Sequence, residues 1–93
     1  MLAASGLLAN EMVLVADSDN GERFETYIIP GPAGSGIIGI NGAAARLSQV
    51  GHRVIIMSFV DVTEAELKGH VARVVICDGQ NKIKERIENK TLP

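Results

Sequence analysis

The sequence predicts a mainly β fold, a small β-barrel of short strands joined by turns and short helical turns. Three observations predict it: short runs rich in Val and Ile recur along the chain, turn signals such as Asn20-Gly21 and Asp78-Gly79 separate them, and no stretch sustains a long helical apolar period. At 93 residues the chain is expected to form a single domain, 1–93, near the lower end of what buries an independent core, so help from a partner chain is expected as well. Hydrophobic residues make up 46% of it and charged residues 22%, a globular balance. Only Phe24, Phe59 and Tyr27 are aromatic, so the core is expected to be aliphatic.

The elements follow in order. Met1–Leu8 (MLAASGLL) has Leu and Ala at helical spacing and predicts a short helix or turn, broken at Asn10 and Glu11. Glu11–Ala16 (EMVLVA) predicts a buried strand, and Asp17 to Gly21 (DSDNG) a turn that needs positive φ. Arg23–Ile29 (RFETYII) predicts a second strand, stopped by Pro30-Gly31-Pro32, and Gly36–Ile40 (GIIGI) a third. Asn41–Leu47 (NGAAARL) has the composition of one helical turn. Arg53–Val60 (RVIIMSFV) is too β-branched and continuous for a surface helix and predicts a strand. Thr63 with Glu66 three residues later forms a capping box, so a short helix is expected over Thr63–Lys68. His70–Cys77 predicts another strand, and Lys82–Ile87 a short one before a flexible tail from about residue 88. No repeat of solenoid period and no low-complexity tract is present; five or six short strands joined by turns and single helical turns suggest a small β-barrel rather than a βαβ sheet.

Composition also excludes function classes. A net charge of −2 without a basic run, and without aromatics interleaved in a basic patch, argues against nucleic acid as a partner. Cys77 stands alone and no Cys/His cluster has ligand spacing, so no metal is implied and a reducing interior is the natural compartment. Met1–Leu8 is apolar but too short to span a bilayer and lacks a basic flank, so no membrane is expected and the localisation is cytoplasmic.

Two segments carry chemistry: Asn20–Tyr27 (NGERFETY) and Gly34–Ala45 (GSGIIGINGAAA). In the order NG-x-R-x-x-TY, then G-S-G-x-I-x-x-NGAAA, then a strand containing Val54–Ile56, they resemble the pyruvoyl-dependent aspartate 1-decarboxylase family. The likeness runs from the LxxASGLL-like opening through that strand, and more loosely to Asp78. The pair of motifs is specific in combination, although neither half is specific alone.

The resemblance implies the family's double-psi β-barrel and the decarboxylation of L-aspartate to β-alanine and CO2, feeding pantothenate synthesis. It implies a covalent pyruvoyl group, made when a precursor cuts itself at a Gly-Ser bond. It also implies a tetramer with sites at subunit interfaces and, as a partner, an N-terminal small subunit from the same precursor. By resemblance Tyr27 is the proton donor to the α-carbon, whereas a lone strand Tyr is more often just an amphipathic packing residue. Arg23 corresponds to the guanidinium that holds the substrate's side-chain carboxylate, a task for which its planar fork suits. Its bland alternative is a surface pair with Glu22 or Glu25. Thr26 matches a position that contacts substrate and assists cleavage, though a β-branched strand residue needs no special explanation.

Strand alternation puts Arg23 and Tyr27 on one face and Thr26 on the other, with about 13 Å between the ends of that run. Either the strand bends there or different faces meet different sites between subunits. Asn41, Gly42, Ala43 and Ala44 match the substrate loop: Gly42 allows close backbone approach, the alanines add no bulk, and amides opening a helical turn can bind a carboxylate. Asn41 either hydrogen-bonds substrate or caps the turn. A phosphate loop is the competing reading of this Gly-rich run, but no Lys-Ser/Thr follows it.

His52 stands where the family usually has Asp and is expected to be a turn residue; His70 and Cys77 are expected to be structural. The pyruvoyl-forming serine is not expected among these residues, because Ser5 lies between Ala4 and Gly6, and Ser35 belongs to the matched GSG stretch. A truncated gene model, a fragment whose partner lies elsewhere, and an inactive relative each account for this. A rival function from another class is a non-catalytic β-barrel that binds a small carboxylate or serves as an assembly subunit.

Overall fold

The computed structural model describes residues 1–90, which cluster into two compact units. The fold class is as expected, mainly β with short helical turns.

One unit comprises Leu8–Gly31 and Ile37–Phe59. Its three-stranded antiparallel sheet has the order β2-β1-β3, with β1 at Met12–Asp17, β2 at Arg23–Tyr27 and β3 at Val54–Met57. Alternation in β1 sends Val13 and Val15 inward, and Phe24 of β2 joins them as the third buried apolar side chain. An aromatic ring therefore takes a share of the core that the composition assigned to aliphatic residues. The turn between β1 and β2 is closed by Asp17 and Gly21, whose φ of 78° is the positive value foreseen for an Asn-Gly pair. Backbone bonds from Asn10 to Ile28 and from Ile28 to Glu11 extend the β1–β2 pairing past Tyr27.

Gly36–Ile40 forms no strand, contrary to expectation. Gly36 adopts φ 70°, which breaks extended backbone, and its carbonyl accepts from Asn81 Nδ2 at 2.7 Å instead of from a neighbouring strand. After that segment the first helix of this unit, a 3-10 helix at Gly42–Arg46, realises the predicted helical turn.

The other unit comprises Met1–Leu7, Pro32–Gly36 and the chain from Val60 onward. Helix α1 (Leu2–Ser5) ends on Gly6 in the left-handed conformation and lies against β4 (Val71–Cys77). Helix α2 (Glu64–Leu67) begins with the capping box in full: Thr63 Oγ1 accepts from the Glu66 amide, and Glu66 accepts from the Thr63 amide. Strand β4 pairs antiparallel with β5 (Ile83–Lys90), with an irregular step between Ile76 and Cys77. The last strand is thus longer than foreseen, since residues 88–90 of the expected flexible tail continue the ladder; the remainder of that tail lies outside the described residues.

In the turn from β4 to β5, Asp78 accepts from the Gln80 and Lys82 amides, and Asn81 rather than Gly79 takes the positive φ, 59°. Lys82 Nζ donates to the Gly34 carbonyl, so the Gly34–Gly36 stretch is fastened to this turn at two points. No helix among the described residues is long and apolar enough to cross a membrane.

Candidate active site

β2 supplies the first three candidates. Its burial alternates, with Arg23, Glu25 and Tyr27 exposed, Phe24 buried and Thr26 half-buried. Arg23 and Tyr27 therefore share the exposed face and Thr26 projects from the opposite one, as the period of a strand dictates. The β1–β2 register runs unbroken from Met12 opposite Tyr27 to Ala16 opposite Arg23. β2 carries no bulge that would turn Thr26 onto the face of Arg23 and Tyr27, so the three side chains divide between its two faces. Tyr27 is 58% exposed. Among the described residues Arg23 makes no ion pair with Glu22 or Glu25, which leaves its guanidinium available.

The second set opens the 3-10 helix. Asn41 occupies its N-cap position in extended conformation but makes no side-chain cap hydrogen bond, so the capping role weighed for it is not the one its side chain plays. Gly42 follows with φ 67°, a conformation that favours glycine, and Asn41, Gly42 and Ala43 are exposed with Ala44 half-buried. The amides at the front of such a helix have no partner within it.

Between these two sets lies a cluster that sequence reasoning missed. Asp17, the last residue of β1, is only 2% exposed. Its Oδ1 accepts from the Asp19 amide at 2.8 Å and the Asn20 amide at 3.2 Å. Its Oδ2 accepts from Ser48 Oγ at 2.7 Å and is 2.6 Å from His52 Nδ1. Burial works against ionisation of this carboxyl, but the hydrogen bonds from Ser48, His52 and the two amides outweigh it and hold the group at about 2. Asp17 is then a carboxylate at neutral pH and accepts only, so His52 Nδ1 carries the proton of their hydrogen bond.

Further bonds surround this pair. Asn20 Nδ2 donates to the Leu47 carbonyl at 2.8 Å, the Arg53 amide to Asp19 Oδ2 at 2.6 Å, and Ser18 to the Arg53 carbonyl through both its amide and its hydroxyl. His52 is thus a buried-acid partner and more than the turn residue expected. The one sequence signal for it was the Asp17-Ser18-Asp19-Asn20 run, whose short polar side chains fold back on their own backbone.

Asp17, Asp19 and His52 also bring potential metal-ligand atoms within 4.8 Å of one another. Both Asp17 oxygens and Oδ2 of Asp19 already face protein donors, an arrangement that suits hydrogen bonding better than a cation. Two shallow clefts, of about 130 Å³ beside Met12, Glu25 and Phe59 and about 220 Å³ between Arg73 and Arg86, include none of the candidate residues.

An edge strand thus presents a guanidinium and a phenol on one exposed face, with a glycine-led helical turn in the same unit of a small mainly β protein. Comparison with known proteins gives the chain a family. The aspartate decarboxylase family model matches residues 1–84. Aspartate 1-decarboxylase of Neisseria meningitidis is 52% identical over 87 residues, covering 94% of this chain and 68% of that protein. The Bacillus velezensis enzyme of the same name is 51% identical with the same coverage, and that of Caldicellulosiruptor saccharolyticus 51% identical over 97% of this chain and 70% of its own length. The chain belongs to the aspartate decarboxylase family.

Proposed function

We propose that the protein decarboxylates L-aspartate to β-alanine and CO2, supplying β-alanine for pantothenate synthesis, through a covalent pyruvoyl group. The observation that carries the reading is the common exposed face of Arg23 and Tyr27 on β2, within a chain whose residues 1–84 match the family.

The candidate side chains suit a ketone electrophile. Arg23, Thr26, Tyr27 and Asn41 include no primary amine or thiol that would compete with the substrate amine for it. When bound, the pyruvoyl group supplies an electron sink for the pair released as the α-carboxylate leaves. The chain's own residues do the rest. Arg23 holds the side-chain carboxylate through a forked, charge-assisted contact. The Gly42–Ala44 backbone approaches the substrate closely, and Asn41, its side chain unused in capping, turns an amide toward it. Tyr27 delivers the phenolic proton to the α-carbon. Because Thr26 projects from the other face of β2, it serves a neighbouring site there. That arrangement favours sites built between subunits of a homotetramer, with the small subunit of the same precursor contributing to each.

In the full-length protein, Tyr27→Phe is expected to slow β-alanine formation by about 100-fold or more, in the range of a lost general acid. Circular dichroism should stay unchanged. Undiminished β-alanine production would remove Tyr27 from the mechanism. A protein that forms no β-alanine and has no borohydride-sensitive carbonyl by intact mass, yet binds aspartate, would instead be a carboxylate-binding barrel.

A further inference from the structure

We propose that Asp17, together with Ser48 and His52, is a positioning centre that sets the Arg23 end of β2 against the Asn41–Ala44 segment and so governs how tightly the substrate is held. The inference rests on the functional reading above and adds to it residues that do not themselves touch substrate.

The connections support it from both sides. Toward β2, the Asp17 amide donates to the Glu22 carbonyl at 2.8 Å and the Gly21 amide to the Asp17 carbonyl at 2.9 Å, so Asp17 is bonded to the residue just before Arg23. Its side chain fixes the intervening turn through the Asp19 and Asn20 amides. Toward the loop, Ser48 and Leu47 follow directly on the 3-10 helix that begins at Gly42, and each is bonded to that turn, Ser48 to Asp17 and Leu47 to Asn20. His52 and the Arg53 amide tie the entry of β3 to the same place. The helix is only five residues long, so a shift at Leu47–Ser48 is carried to Asn41.

A carboxylate with four protein donors at one buried point has little freedom to move, and removing a donor leaves a buried charge underpaired. Tyr27 lies at the other end of β2. There Met12 pairs with it, and the backbone bonds between Ile28 and both Asn10 and Glu11 hold the strand independently of Asp17. Disturbing the centre should therefore loosen the grip on substrate and leave proton delivery in place. A purely structural role predicts otherwise, because partial unfolding lowers the active fraction, and hence kcat, without changing KM.

The test uses the full-length protein with His52→Ala, Ser48→Ala and His52→Asn, the last retaining an amide donor where Nδ1 stands. Each alanine variant is expected to raise KM for L-aspartate about tenfold with kcat within about twofold, the size of effect one charge-assisted hydrogen bond can exert. His52→Asn should return KM to near the unsubstituted value. The dissociation constant of succinate, a dicarboxylate without the reacting amine, should rise in parallel by calorimetry. Unchanged KM and succinate binding in both alanine variants, or a loss confined to kcat, would overturn the positioning role while leaving the decarboxylase reading intact. If the unsubstituted protein neither forms β-alanine nor binds succinate, the functional reading fails and the inference with it.

Discussion

Asp17 shows how one side chain can matter more than its type suggests. It is an acid at the end of an apolar strand, nearly sealed from solvent, and burial alone would favour its neutral form. Four hydrogen bonds reverse that preference and lower its pKa from the ordinary 3.8 to about 2. The sign of the consequence follows by linkage. A folded-state pKa below the unfolded one means that the native state binds its proton less readily, so the carboxylate stabilises the fold fully above about pH 4. The contribution is lost as pH falls from 3.8 toward 2. Urea midpoints of the unsubstituted protein and of Asp17→Asn are therefore expected to differ clearly at pH 5 and to converge as pH approaches 2. A gap that stays constant across this range would mean that the ionised form contributes nothing special. In the sequence Asp17 looked like one of several turn-forming polar residues, because its partners Ser48 and His52 lie 31 and 35 positions away. Local spacing cannot announce such a contact.

At the scale of elements, local chemistry was legible and long-range pairing was not. The Thr63–Glu66 spacing announced a capping box, and both of its hydrogen bonds form. Period-2 alternation places Arg23 and Tyr27 on one face and Thr26 on the other, and the burial along β2 follows it. Gly36–Ile40 is the opposite case. Its apolar composition suits a strand, but a strand exists only where a neighbour pairs with it, and composition does not say whether one does.

Here Gly36 bends at φ 70° and its carbonyl is taken by Asn81. The same residue offers a sharp test of this element. A Cβ added at Gly36 would stand 2.7 Å from the Gln80 carbonyl oxygen, a backbone atom, and in a conformation that L side chains rarely adopt. Gly36→Ala is expected to destabilise the protein by about 1–3 kcal/mol, combining left-handed strain with the steric conflict. Equilibrium urea unfolding measures it. Gly31→Ala, with nothing within 4 Å of the added carbon and no positive φ, is the control and should be nearly neutral. Equal stability of the two variants would mean that the Gly36–Gln80 approach is not a constraint on the fold.

Across the whole molecule, burial and exposure are out of proportion for a chain that is 46% hydrophobic. Val13, Val15 and Phe24 are the buried apolar side chains among the described residues, while Met12, Ile29, Ile55, Phe59 and Val60 are exposed, Phe59 by 76%. The three-stranded sheet also leaves the outer edges of β2 and β3 without a partner strand in that sheet, and open edges favour association. Both features agree with the subunit-interface site proposed from the division of the candidate side chains between the two faces of β2, since covering the exposed face of that strand would also enclose Arg23 and Tyr27. The expected outcome is that sedimentation equilibrium of the full-length protein gives a mass several times that of one chain. Phe59→Glu, which leaves every candidate site residue untouched, should shift the distribution toward smaller species and weaken L-aspartate turnover in proportion to the assembly lost. A protein that sediments as a single chain yet turns over L-aspartate at the same rate with either residue at position 59 would place the whole site within one subunit and remove the reason for distributing Thr26 to a second.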